Sequence, residues 1–161
     1  EVSAGVAGPY GICLNKDETI AFIVGKGEGA ANTGSELGLI DLLNFRPLRT
    51  DSLGDGTINP FYLGSSAASV DHCAINPDLD SNEIWVSNMR GWETIIMNYD
   101  TWTVEGYVPT PNGGDTHGMA FVNYNSDWTG ELMSDMGGPK SKTLQAEIAA
   151  LAAAAAAAAA G

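Results

Sequence analysis

Two histidines are the only imidazoles in this 161-residue chain, and they stand at matching points of two similar stretches. His72 lies at the start of DHCAINPDLDSNEIWVSNMRG and His117 at the start of THGMAFVNYNSDWTGELMSDMGG, while Tyr10 takes the same place in PYGICLNKDETIAFIVGKGEG. Imidazole nitrogen ligates copper or haem iron, and equally caps a turn. His72, His117 and Tyr10 are therefore candidate cofactor-binding residues, with His72 and His117 as candidate metal ligands. Asp78, Asp80 and Asn82 have a DxDxN spacing that can present oxygens to calcium, but without the glycine and later glutamate of an EF-hand loop. The five methionines, Met89, Met97, Met119, Met133 and Met136, follow no repeated spacing. Met97 and Met119 fall in apolar strand patterns and read as core.

Cys13 and Cys73 are the only cysteines, with no CxxC or CxxCH, so neither a cysteine-rich zinc site nor covalent haem attachment has its spacing. A disulfide between them stays open: they lie in corresponding strands of successive units, offset by two residues. His72 and Cys73 are adjacent on a strand and point to opposite faces, which suits them poorly to sharing an ion. No GxSxG, HExxH or GxxxxGK[ST] occurs, so no motif supports catalysis.

The elements that must position these residues are short strands. Glu83–Asn88, Glu93–Asp100 and Trp102–Thr110 are β-branched and aromatic runs separated by tight turns, and the loop PNGGD leads to a further strand over Thr116–Val122. The first unit has the same order: Tyr10–Leu14, Thr19–Val24, Leu37–Leu42 and Phe45–Thr50. It carries a Gly/Ala/Asn-rich insertion between Gly25 and Glu36 and a longer one between Asp51 and Ser69, of the length that functional loops have. Trp92, Trp102 and Trp128 are expected at turns or on exposed outer strands. Strand-built units repeating every few tens of residues predict an all-β chain of propeller type. Two full four-stranded blades and part of a third occupy residues 1–142, and a helical tail occupies 143–161. The tail's unbroken alanine run, Ala152–Ala160, is strongly helix-forming and also reads as a stand-in for unassigned residues.

The units THGMAFV, WVSN, IIMNYDT and YVPTPNGG, in that order, resemble the YVTN-type or lactonase-like β-propeller repeat over about residues 9 to 138. The resemblance implies that Tyr10, His72 and His117 occupy equivalent places at one mouth of a central channel. It also implies that a histidine there generally serves the backbone, with ligation of copper or haem as the alternative. Tyr10 departs from the pattern where the other units carry histidine. So does Glu131–Asp135, which replaces a YVTN strand.

Lys and Arg number 7 against 20 Asp and Glu, a formal charge of −13 that repels nucleic acid and anionic membranes. Three units are too few to close a ring. The leading expectation is therefore an extracytoplasmic, periplasmic or cell-surface, scaffold module. Its partners are other protein subunits, it requires no cofactor, and it reaches a membrane only through the C-terminal helix. The alternatives are a redox or cofactor-binding propeller using the histidines, and, third, a lactonase-like hydrolase.

Overall fold

A computed structural model describes residues 2–27, 34–48, 60–64, 67–135, 138–139 and 142–159. Most of both insertions, Met136, Ala160 and Gly161 lie outside the described residues. Three antiparallel sheets follow one another along the chain. The first contains β1 (Pro9–Leu14), β2 (Ile20–Gly25), β3 (Glu36–Asp41) and β4 (Arg46–Pro47) in sequential order, with β5 (Phe61–Tyr62) pairing β3. The second is a four-stranded meander of β6 (Val70–Ile75), β7 (Glu83–Asn88), β8 (Glu93–Asn98) and β9 (Thr103–Pro109). The third holds β10 (Ala120–Tyr124), β11 (Gly130–Asp135) and β12 (Gly138–Pro139), and α1 (Lys142–Ala159) closes the described chain. Among the described residues the sheets do not close on one another into a ring.

The turns show why the units resemble one another. In Asn15–Thr19 the Asn15 carboxamide donates to Thr19 Oγ1 at 2.9 Å, while Thr19 Oγ1 donates to Asp17 Oδ1 at 2.8 Å. Asn125–Thr129 repeats both bonds, at 3.1 and 2.6 Å. The Thr129 hydroxyl, contributing most, and the Thr129 N–H both donate to Asp127 and hold its carboxyl below the usual carboxylate range. Each loop places one residue, Glu18 or Trp128, at positive φ (57° and 65°), a left-handed position that glycine would fill without strain. Side-chain hydrogen bonds specify the hairpin here in place of glycine.

Alternation along the strands divides each face. Phe22, Val24, Leu37 and Leu39 of the first sheet and Cys73, Ile84, Val86, Ile95 and Met97 of the second form one buried cluster. The opposite face of the second sheet presents Trp85, whose ring meets Phe121 of β10 edge-on at 5.2 Å. The second sheet therefore sits between the first and the third. The N-terminal stretch covers the far side of the first sheet, where a Cβ at Gly38 would strike the Ala4 backbone.

Four sequence expectations change. Trp102 is buried, 8% exposed, and packs near Phe61 with ring centroids 6.3 Å apart. Its position at φ 55° turns the indole inward from the hairpin, which strand alternation alone does not predict. Of the expected strand Phe45–Thr50, the described part pairs with β3 at Arg46–Pro47 and through the Leu48 N–H, which donates to Leu39 O at 2.8 Å, and β5 extends the sheet further along β3. The segment Thr116–Met119 is unpaired, so β10 begins at Ala120 and His117 lies in a loop. The helix begins at Lys142, one residue before its expected start.

Candidate functional site

The site begins with a close approach of backbones. β1 and β6 belong to different sheets but run side by side in the same direction. Gly11 permits it: a Cβ there would come within 2.9 Å of the His72 Cα. Two residues on, Cys13 and Cys73 are bonded as a disulfide, Cα atoms 5.8 Å apart, within the ordinary span of such a bond. The disulfide that the sequence left open is thus formed, and the physical pairing is residue i with i + 60. The repeat alignment instead matched Tyr10 with His72. Register irregularities between Pro9 and Ile12 and between Val70 and Cys73 accompany this shift.

The same junction holds the charged groups. Asp71 is wholly buried. Lys26, just past β2, is fixed at both ends of its peptide unit: its N–H donates to Gly8 O at 2.9 Å and its carbonyl accepts from Gly34 N at 3.0 Å. Its ammonium passes over the Tyr10 ring, 4.0 Å from the centroid, and reaches Asp71 Oδ2 at 3.0 Å. Ser87 holds the backbone of His72, accepting from its N–H at 2.8 Å and donating to its carbonyl at 3.2 Å. The Thr116 hydroxyl donates to Glu93 O at 3.1 Å and so ties the loop carrying His117 to the second sheet.

These constraints bring the candidate residues together. The Tyr10 and His72 rings meet edge-on at 5.2 Å, and the His72 and His117 rings lie 6.3 Å apart. Both imidazoles turn Nδ1 towards Asp71: His72 Nδ1 touches Oδ1, and His117 Nδ1 lies 2.9 Å from Oδ2. His117 Nε2 lies 3.5 Å from Asp115 Oδ2. Asp71 and Lys26 were not singled out from sequence. Asp71 adjoins His72 in the chain, but nothing local marks it as buried, and Lys26 joins it across 45 residues.

The calcium candidates are placed otherwise. The Asp78 carboxylate accepts from the Asp80 N–H at 3.1 Å, an Asx turn linking β6 to β7. The Lys16 ammonium donates to the carbonyls of Asp78 and Ser81, so a side-chain cation already occupies this loop. Burial pushes the Lys16 pKa down, opposed by Asp78, Asp80 and Glu83.

No family model matches the chain, and no curated protein matches it.

Proposed function

We propose that the chain is part of a β-propeller and acts as an interaction module, its third sheet being covered by a further four-stranded sheet. One observation carries this reading. The first and second sheets share a buried core, and the second meets the third through Trp85 and Phe121. The third sheet instead leaves Val122, Tyr124 and Leu132 exposed, with Trp128 at its hairpin 86% exposed. Apolar side chains grouped on one sheet face mark a surface that another element covers. The second sheet is covered on both faces by a sheet of the same kind, and the third stands next in the same succession. The Cys13–Cys73 disulfide fits an oxidising, extracytoplasmic setting.

A photo-crosslinking residue at position 124, introduced into the protein in its native assembly, tests this. The expected adduct maps to a strand of an antiparallel sheet. The same residue at Leu43, exposed in the turn between β3 and β4, gives none. Equal labelling from both positions, or none from 124, would refute the proposal.

A further inference from the structure

The junction of β1, β6 and the His117 loop holds a chemical contradiction. Asp71 Oδ1 and His72 Nδ1 are both buried and touch each other, yet neither has a hydrogen-bond partner. A carboxylate oxygen and an imidazole lone pair repel unless a positive centre, a proton or a metal ion, lies between them. Leaving such buried polar atoms unsatisfied is costly. Lys26 does not resolve this, because its ammonium is engaged with the other oxygen, Oδ2.

We propose that Asp71, His72 and His117 bind a divalent first-row transition ion, with a remaining coordination position open to solvent beside His117. One ligand atom from each residue lies within 4.8 Å of the other two. Donors on one tetrahedral ion at about 2.1 Å lie about 3.4 Å apart, so the touching Asp71–His72 pair must part and the widest pair draw in, shifts of about an ångström. Two imidazole nitrogens and one carboxylate oxygen select zinc, iron(II), nickel or copper(II) over calcium and magnesium, which prefer oxygen ligands. A histidine that binds metal through one ring nitrogen commonly offers the other to a carboxylate, and Asp115 stands 3.5 Å from His117 Nε2. Asp71 and His72 both lie on β6, His72 is held on its backbone by Ser87 and His117 is brought in by the Thr116 bond, so all three ligands are positioned by the second sheet. His117 is 53% exposed while Asp71 is fully buried, which puts the open side of the site at the solvent.

Lys26 then has a second meaning. It neutralises Asp71 when no ion is present and repels the ion when one arrives, so it weakens binding while protecting the empty site.

The test is a calorimetric titration of chelator-treated full chain with Zn2+, with Co2+ as a spectroscopic probe of ligand number. One Zn2+ per chain is expected. His117→Ala, at a half-exposed residue whose loss spares the core, should weaken binding by more than the roughly 10–100-fold that losing an outer partner costs. Asp78→Asn should leave binding unchanged. Lys26→Met should tighten it, and Zn2+ should raise the melting temperature of that variant more than that of the parent. The proposal is overturned if His117→Ala binds Zn2+ as the parent does, if no stoichiometric binding occurs, or if Zn2+ leaves the melting temperature of Lys26→Met unmoved.

Discussion

Reduction of the Cys13–Cys73 bond offers the sharpest test of how the first two sheets are held. The bond closes a loop with a sequence separation of 60. Restricting the unfolded chain to that loop removes about 14 cal/mol/K of entropy, equivalent to about 4 kcal/mol at 25 °C. Against a total stability of about 5–15 kcal/mol for a domain, that is a large fraction. For a chain of this length it corresponds to a fall in melting temperature of roughly 12 °C. Urea unfolding of oxidised and reduced protein, in the presence of chelator, measures it with no change of side chain. The origin in the unfolded state makes a second prediction: the reduced chain expands further on unfolding, so its urea m-value rises. A Cys13→Ala/Cys73→Ala variant should fall below the reduced protein, because both sulfurs are buried and their removal leaves small cavities. Two outcomes refute the reasoning: thiol titration that finds two free thiols in unfolded, unreduced protein, or a reduced form within about 1 kcal/mol of the oxidised one.

Two further expectations separate burial from backbone effects and follow a half-buried phenol. Trp102→Ala and Trp128→Ala keep a Cβ at similar positive φ values, 55° and 65°, but Trp102 is 8% exposed and Trp128 86%. The first should lose about 3–5 kcal/mol and the second stay within about 0.5, as read by equilibrium unfolding. Burial, with Asp17 nearby, raises the Tyr99 pKa from 10.0 to about 12. The neutral phenol is therefore favoured by the fold. Its contribution to stability is complete below pH 10 and is lost as pH climbs through about 12. The difference in ultraviolet absorbance between the parent and Tyr99→Phe should titrate near the upper value, and a midpoint near 10 would contradict it.

Local signals served well wherever the physics was local. Hairpins appeared where Asn15–Thr19 and Asn125–Thr129 carry their own hydrogen-bonding code, and strands where β-branched runs alternate, as in Glu83–Asn88. Trp102 was misread because its inward turn depends on a left-handed backbone position and on Phe61, 41 residues earlier in the chain. The disulfide was left open for a related reason. Repeat alignment compares residues by their place in a unit, whereas Cys13 and Cys73 meet because two neighbouring strands slide past each other by two places.

By itself, then, the sequence determined an all-β chain of repeated hairpins with a terminal helix, and it marked Tyr10, His72 and His117 as equivalent. Period-two alternation and turn chemistry act over a few residues and are written along the chain. Only the tertiary structure decided that Asp71 lies buried between those rings, that Lys26 reaches it, and that Cys13 bonds Cys73. Each of these depends on how two separate sheets approach, at a glycine small enough to let their backbones touch.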